Sequence, residues 1–264
     1  MIELVDSVGG VSWQGAVRTE RRHGIPPGGP WDAFAAEVAR ALAGLGRDEP
    51  ILELHRSCRV RLRTTGLARL ATTGAPAALR IGGVGPVQAG RSQTIQAGTE
   101  VEITREGFGT TYVAFGPRTA PLPERLDLEP SGRGPMRFLP GPHAHLFPGW
   151  AAAGPYAVSW VGDRVGLRLP GAGPSHRVEL VSEPSTPGAI QLTPGGDLIV
   201  LGPDGPTIGG YPVVGVVVSA DFARLAHAGP EVEFLPCDQS HALEALRKVR
   251  QQTEQTLRAI ALRS

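Results

Sequence analysis

Residues 182–219, SEPSTPGAIQLTPGGDLIVLGPDGPTIGGYPVVGVVVS, decide the fold class of this chain. The segments 189–193, 198–201 and 213–218 are short and apolar, and turns rich in glycine and proline separate them. Apolar runs of this length predict strands that are buried on both faces, as in a closed barrel. Residues 194–197, Pro-Gly-Gly-Asp, predict a tight turn because proline presets one backbone angle and glycine accepts a positive φ.

The loop 202–212, GPDGPTIGGYP, lies between two of these predicted core strands. It has few large apolar side chains to anchor it. Small residues leave backbone N–H groups approachable, which suits an anion or another polar ligand. A plain β-turn loop explains the same composition, so both interpretations stay open.

The composition predicts a mainly β protein. The chain has 264 residues, 36 glycines and 25 prolines, which fits many short strands joined by turns. A net charge of +1 gives no argument for nucleic acid or a membrane surface as partner. The start, MIELVDSVGG, lacks a positively charged n-region, so we predict no signal peptide and a cytoplasmic location. Cys58 and Cys237 have no metal-type spacing, and we expect free thiols.

Lys248 is the one lysine among 26 basic residues. The phosphate-binding loop G-x-x-x-x-G-K-[ST] is therefore absent. Lys248 also lies in a strongly helical stretch, so neither a Schiff-base lysine nor a biotin-carrying lysine is expected.

The first part of the chain predicts strands at 2–5 and 11–17, a polar loop at 18–32 and a helix over 30–45. Asp32 falls in the first turn of that helix, where a carboxylate offsets exposed N–H groups. Residues 59–63, Arg-Val-Arg-Leu-Arg, alternate strictly, which predicts a strand with one apolar face and one arginine face. That arginine face suits a carboxylate substrate or, more simply, solvent. Strands follow as far as residue 117, and the proline-rich, charged residues 118–135 predict a linker.

The second part resumes as β structure at residue 136. His143 and His145 would face one side of a strand, but no third metal ligand is evident, so no metal site is predicted. Further strands are predicted at 156–160, 165–169, 178–181 and 231–234. Ser240 is the predicted cap of a final helix to about residue 262. Its core-facing stripe comprises Leu243, Leu246, Val249, Leu257 and Ile260.

Five motifs in order carry a family resemblance: HGIPPGGPWD, Thr73-Gly74-Ala75, LPGPH, VGDRVGLRLPG and the long segment 187–225. The chain resembles the biotin-dependent carboxyltransferase family, which includes the C subunit of 5-oxoprolinase, allophanate hydrolase subunit 2, the sporulation-kinase-inhibitor antagonist protein and the C-terminal part of the urea carboxylase carboxyltransferase domain.

The resemblance implies a cyclophilin-like β-barrel architecture in two β-rich halves, with a few helices and a C-terminal helix. We predict halves at 1–117 and 136–236, joined by the linker 118–135, and the terminal helix within 237–264. The family also implies a subunit-1-like partner that shares the active cleft, and a small amide or lactam substrate such as 5-oxoproline. ATP would be held with the partner, and biotin, if used, would be carried on another protein.

The chemistry needs hydrogen-bond donors where negative charge develops on oxygen, and carboxylates that take a proton or orient a donor. The candidate catalytic residues are Asp32, Asp163, Arg164 and Gln191. The candidate substrate-binding residues are Gln14, Arg18, Gly209, Gly210 and Tyr211.

Two departures from the family pattern support an alternative function. The family motif T-x-Q-D-x-G-R reads Ser-Trp-Gln-Gly-Ala-Val-Arg over residues 12–18, and the segment between the halves is short. The alternative is a non-catalytic module that binds and regulates a kinase-inhibitor-like partner. A stand-alone barrel is the third possibility.

Overall fold

A computed structural model describes residues 2–88, 92–117 and 134–262. These residues form two compact units. The first comprises 2–16, the described part of 32–117, and 250–262; the second comprises 17–31 and 134–249. The predicted linker 118–135 lies almost wholly outside the described residues, and the predicted domain limits stay a prediction.

The first unit is built on one antiparallel sheet. Its strands pair in the order β5-β4-β7-β2-β8-β3-β6, and β1 pairs with β2. Leucine, valine and isoleucine side chains from most of these strands form its main core. The strands are β1 (Ile2–Gln14), β2 (Ile51–Thr64), β3 (Ala68–Gly74), β4 (Ala78–Ile81), β5 (Val84–Gln88), β6 (Ser92–Ile95), β7 (Glu100–Arg105) and β8 (Thr110–Gly116).

Strand β1 is continuous, whereas the sequence predicted two strands separated by glycines. A register shift between Gly9 and Gly10 lets pairing with β2 continue past them. Gly9 has a φ of 85°, and a Cβ there would lie 2.7 Å from the Ser57 carbonyl oxygen. Glycine therefore forms a bulge within one strand instead of ending it.

The predicted alternation over residues 59–63 is confirmed in β2. Val60 and Leu62 are fully buried, while the intervening arginines are exposed. Arg63 donates to Glu100 at 2.6 Å on the neighbouring strand β7. The arginine face is thus a solvated face with surface ion pairs.

Helix α1 (Ala33–Ala43) is shorter than the predicted 30–45. It starts later than predicted because Asp32 is its N-cap and does not lie in its first turn, where the sequence placed it. The helix ends at Gly44, which has a φ of 78°. Its alanine-rich face packs on Ile51, Ala71 and Tyr112. The last turns of the C-terminal helix add Leu257 and Ile260 to this cluster.

The second unit centres on a six-stranded sheet with the order β11-β14-β13-β16-β9-β18. Its pairs are antiparallel except β18 with β9. Two short ladders, β10 with β17 and β12 with β15, flank it. The strands are β9 (Met136–Pro140), β10 (Tyr156–Ala157), β11 (Gly166–Leu169), β12 (Glu183–Pro184), β13 (Ala189–Leu192), β14 (Leu198–Leu201), β15 (Ile208–Gly209), β16 (Val213–Val217), β17 (Glu231–Val232) and β18 (Phe234–Pro236), and the helix is α2 (Phe222–Leu225).

Three predicted strands of the second unit differ from the structure: the one over 231–234 is divided into β17 and β18, and the other two are lost or shortened. Residues 178–181 form no strand, and Val181 is 86% exposed, because the ladder partner β15 pairs further along at Glu183–Pro184. The strand predicted at 156–160 has only two residues, β10, because Ser159 turns to donate to the Arg168 carbonyl oxygen.

Helix α3 (Gln239–Ala261) begins one residue before the predicted cap. Asp238 accepts from the His241 N–H at 2.9 Å, and the Ser240 hydroxyl donates to the same carboxylate, so Asp238 is the cap and Ser240 is not. Leu246 packs within the second unit, whereas Leu243 is 47% exposed and does not belong to the core stripe.

The predicted mainly β fold with a C-terminal helix is confirmed. Among the described residues, no helix combines the length and the apolar character that a membrane span requires.

Candidate functional site

Asp204, in the loop after β14, joins two of the predicted site residues in the second unit. The Arg164 guanidinium donates to it from Nε at 2.7 Å and from Nη2 at 3.3 Å. Arg18 approaches the same carboxylate from Nη2 at 3.9 Å. The loop 17–31 and the loop before β11 therefore meet at one carboxylate, although they are more than a hundred residues apart in sequence.

Glycines make this meeting of loops possible. The Gly28 N–H donates to the Pro203 carbonyl oxygen at 2.9 Å, and Gly28 has a φ of 59°. A Cβ on Gly28 would lie 2.5 Å from the Arg18 guanidinium, and a Cβ on Gly202 would lie 2.3 Å from the Arg164 carbonyl oxygen. Gly202 is thus required for close backbone approach, whereas Gly28 is favoured by its positive φ.

The Arg164 side chain is buried and links two loops. It is 10% exposed, and besides binding Asp204 it donates to the Gly29 carbonyl oxygen at 2.6 Å. The Arg18 side chain is 52% exposed and lies at the edge of the same cluster. Arg18 is therefore the more accessible cation for a ligand.

Asp204 itself was missed by sequence reasoning. The signal that could have found it is a carboxylate in a PDG turn within the segment that carries the resemblance. The sequence predicts either a ligand-binding loop or a plain turn over 202–212, and nothing local shows that two arginines from elsewhere reach the Asp204 carboxylate.

Asp163 has a local role. It is exposed, and its Oδ1 accepts from the Val165 N–H at 2.9 Å, which closes the turn before β11. Asp163 therefore stabilises its own turn, whereas the neighbouring Arg164 links the loop 17–31 to the loop after β14.

Asp32 lies in the first unit and is 2% exposed. Its Oδ1 accepts from the Ala35 N–H at 3.0 Å, and its own N–H donates to the Tyr112 hydroxyl at 2.7 Å. Burial, followed by the charges of Glu53 and Asp32, raises the pKa of Tyr112 well above its ordinary value, so the hydroxyl stays protonated. The carboxylate of Asp32 is engaged as a helix cap.

Replacing Asp32 with alanine is expected to lower the free energy of unfolding by about 1 kcal/mol, because the first turn of α1 loses its cap. Asp32→Asn keeps an oxygen acceptor and should cost clearly less. Denaturant unfolding of both variants checks this. Equal losses for alanine and asparagine would show that the negative charge, and not the cap, matters.

Gln191, on β13, lies against β15. It is 4% exposed, and its Nε2 would be 2.9 Å from a Cβ on Gly209. Gly209 is paired with Glu183 in the short β12–β15 ladder, so this part of the loop is strand and its backbone is not freely approachable, contrary to the expectation for 202–212. Gly210 follows, and the Tyr211 side chain is 45% exposed.

Gln14, at the end of β1, belongs to the first unit. Its side chain donates to the Ser12 hydroxyl at 2.9 Å, and its carbonyl oxygen accepts from Arg40 at 3.1 Å. These contacts give it a structural role in that unit. Within the second unit, Arg18 and Arg164 meet at Asp204, while Gln191 meets Gly209.

No metal centre emerges from the described residues. His143 Nδ1 accepts from the Val213 N–H at 3.1 Å, and His145 Nδ1 lies 3.0 Å from the Pro142 carbonyl oxygen. Across 2–88, 92–117 and 134–262, no group of three or more His, Cys, Asp or Glu residues is placed to hold an ion.

Known proteins that are similar to this chain identify its family. A family model described as "Carboxyltransferase domain, subdomain A and B" matches residues 23–119 and 113–235. The C subunit of Escherichia coli (strain K12) 5-oxoprolinase is 34% identical over 120 residues, which cover 42% of this chain and 38% of that protein.

Solved structures share the fold. TTHA0988 matches with a TM-score of 0.75 at 24% identity, covering 90% of this chain and 56% of that one. Kluyveromyces lactis urea carboxylase matches with a TM-score of 0.78 at 16% identity, covering 97% of this chain and 29% of that one. This chain thus spans only part of each relative's length. Because the family model covers most of its residues, the chain belongs to the carboxyltransferase-domain family of subdomains A and B.

Proposed function

We propose that this chain is a component of a multi-subunit enzyme that opens or carboxylates a small amide or lactam, with 5-oxoproline as the first candidate. The single observation that carries the proposal is the family match over residues 23–235, together with the relative that is the C subunit of 5-oxoprolinase. The active cleft would be completed by a subunit-1-like partner.

Opening a lactam requires activation of its carbonyl group, by phosphorylation or by carboxylation. Arg18 and the Gln191 carboxamide are the donors in the second unit best suited to meet substrate oxygen, since Arg18 is half exposed and Gln191 faces a glycine. Gly209, Gly210 and Tyr211 would border the substrate. Asp163, Arg164 and Asp32 would act by positioning, because their side chains are held by turn, loop and helix contacts.

The glycine-containing segment 202–205 does not fit a triphosphate. The N–H groups of Gly202, Asp204 and Gly205 donate to the carbonyl oxygens of Val165, Arg164 and Gly202, so they do not form a cradle. ATP would therefore be held by the partner. Lys248, the one lysine of the sequence, lies within helix α3, which supports placing any biotin on another protein. The cytoplasmic location stays a prediction.

A regulatory binding module is the second candidate. It is favoured by the engagement of Asp32 and Asp163 in caps and turns, which leaves neither as an evident proton acceptor. In this case the chain would bind a subunit-1-like protein and control it without contributing chemistry.

The decisive experiment is to co-purify the chain with its co-encoded partners and to measure ATP-dependent release of glutamate from 5-oxoproline. We expect turnover by the complex and none by the chain alone. Arg18→Ala should abolish most turnover while the complex stays intact, because an exposed cation at the cleft is lost. Arg22→Ala, an exposed neighbour, is the control and should keep turnover.

Full turnover in the Arg18→Ala complex would favour the regulatory module. Turnover by the isolated chain would contradict the shared cleft. Failure to co-purify with any subunit-1-like protein would remove both candidates.

A further inference from the structure

Arg105, the last residue of β7, carries a positive charge that no carboxylate compensates within the described residues. The residue is 5% exposed, and its one hydrogen bond runs from Nη1 to the Glu106 carbonyl oxygen. Among the residues that the structure describes, Cys58 is the only acid whose charge acts on it. A buried charge without a partner opposes folding, and a guanidinium cannot release its proton to avoid that cost.

The Cys58 thiol does not supply the missing negative charge. Burial raises the pKa of Cys58 to about 11, so the thiol is neutral at neutral pH. Burial lowers the pKa of Arg105, but its guanidinium stays protonated under the same conditions. The counter-charge of Arg105 must therefore come from outside the described part of the chain.

The unused donors of Arg105 lie along one edge of its guanidinium. Nε has no hydrogen-bond partner, and Nη2 makes no bond to a described residue. In Arg164 the same two nitrogens bind the two carboxylate oxygens of Asp204. In Arg137 they bind the two oxygens of Asp221. The Nε–Nη2 edge of Arg105 thus has the donor geometry that receives a carboxylate elsewhere in this protein.

The edge can be reached from the turn 106–109, which joins β7 to β8 at the protein surface. Nε is closed to solvent, but Nη2 is not. Gly109 has no side chain to cover Nη2, since a Cβ there would lie 2.5 Å from that nitrogen. Glu106 is exposed, and so is Ser57, whose hydroxyl accepts from the Gly107 N–H at 3.0 Å. A ligand can therefore approach through Nη2.

A second buried arginine adds positive charge at this turn. The Arg56 guanidinium carbon lies 5.3 Å from the centroid of the Phe108 ring, and Arg56 is 7% exposed. The Arg56 N–H donates to the Gly109 carbonyl oxygen at 2.8 Å, and its φ of 59° is uncommon for a residue other than glycine. Two guanidinium groups at one turn favour an anion over a neutral ligand.

We propose that the Nε–Nη2 edge of Arg105, at the turn 106–109, is a binding site for a small-molecule carboxylate. The site lies within the first unit and does not depend on the proposed function. A carboxylate is preferred over chloride because the edge offers two parallel donors to two oxygens. It is preferred over a neutral amide because the buried charge requires an opposite charge.

The test is an NMR titration of the isotope-labelled full chain, followed through the side-chain Nε–H signal of Arg105. Sodium chloride is exchanged for sodium acetate at constant ionic strength, and acetamide is the neutral probe of similar shape. We expect acetate to shift the signal saturably and to bind about tenfold more tightly than chloride or acetamide, because only acetate offers two charged oxygens.

Two variants of Arg105 separate charge from geometry. Arg105→Lys keeps the charge but lacks the two parallel donors, so it should weaken acetate binding about tenfold. Arg105→Met removes the charge and should abolish binding. Arg80→Lys changes an exposed arginine on β4 of the same unit and is the matched control, which should bind acetate normally. The backbone N–H signals of Gly107 and Gly109 report binding in all variants.

Thermal unfolding provides a second measurement. Acetate should raise the unfolding midpoint of the wild type and of Arg80→Lys, because a ligand that binds the folded state stabilises it. It should not raise the midpoint of Arg105→Met. In chloride, Arg105→Met should unfold at no lower temperature than the wild type, since it removes a buried charge without a partner.

Equal binding of acetate and chloride, acetamide binding as tight as that of acetate, or unchanged acetate binding in Arg105→Met would each overturn the site. The absence of any shift in the Arg105 Nε–H signal would do the same. Tighter binding of inorganic phosphate than of acetate would overturn the assignment of a carboxylate as the ligand.

Discussion

Replacing Asp221 with alanine is expected to lower the free energy of unfolding by about 3 to 5 kcal/mol, the largest effect we predict. Asp221 is 1% exposed. It accepts from Arg137 three times: from the backbone N–H at 2.8 Å, from Nε at 2.9 Å and from Nη2 at 2.6 Å. The Arg224 guanidinium, with its side chain 13% exposed, lies 3.3 Å away. Alanine would leave two guanidinium groups facing each other without the carboxylate between them.

Denaturant-induced unfolding of Asp221→Ala and Asp6→Ala provides the comparison. Asp6 also faces two arginines, Arg59 at 3.3 Å and Arg61 at 3.6 Å, but all three side chains are substantially exposed. Exposed pairs contribute about 1 kcal/mol or less, so the control should change stability little. Similar losses at the two sites would show that burial of Asp221 is not what makes its ion pair strong.

The Asp221 carboxylate should make the free energy of unfolding depend on pH in the acid range. Burial by itself raises the pKa of Asp221, but the hydrogen bonds from Arg137 and the charges of Arg224 and Arg137 together bring it below the ordinary value. A depressed folded-state pKa stabilises the fold at pH values above the unfolded pKa of about 3.9, and this stabilisation is lost as the pH falls through the folded pKa. The stability difference between wild type and Asp221→Asn should therefore shrink in strong acid and be constant near neutrality.

Asp204→Ala is expected to lower the free energy of unfolding by about 3 kcal/mol, because it leaves the Arg164 guanidinium buried without its carboxylate. Arg164 would keep the Gly29 carbonyl oxygen but lose both bonds to Asp204. The loop 17–31 would also lose the ion pair of Arg18. We therefore expect faster trypsin cleavage within residues 18–22, in addition to the loss of stability.

Asp163→Ala is the matched control for Asp204→Ala. It removes a carboxylate next to Arg164 in sequence, but one that only accepts from the Val165 N–H. Its cost should be near 1 kcal/mol or less, with trypsin cleavage of residues 18–22 unchanged. If Asp163→Ala speeds trypsin cleavage of residues 18–22 as much as Asp204→Ala does, the ion pairs of Asp204 are not what holds the loop 17–31 in place.

Local patterns predicted the elements whose neighbours in space are also neighbours in sequence. The apolar runs of β13, β14 and β16 and the alternation of β2 were predictable, because period and turn residues carry that information. The predicted strand over 178–181 failed because its apolar residues find no ladder partner. The exposed Leu243 shows the same limit for α3, since a helical stripe does not tell which of its turns are covered.

The same limit applies to the candidate site. Sequence resemblance directed attention to Arg18, Arg164 and Gln191, but their partners could not be predicted. Asp204 was missed because its contacts, Arg18 and Arg164, come from loops distant in sequence.

The sequence by itself determined that this chain is mainly β and to which family it belongs, because these depend on residue type and order. Only the tertiary structure decided that Arg164 is buried and links two loops through Asp204, and that Asp32 caps a helix while Asp163 stabilises a turn. The physical reason is that hydrogen bonding and burial depend on which distant segments meet, and strand register and close backbone contacts, rather than local composition, decide that meeting.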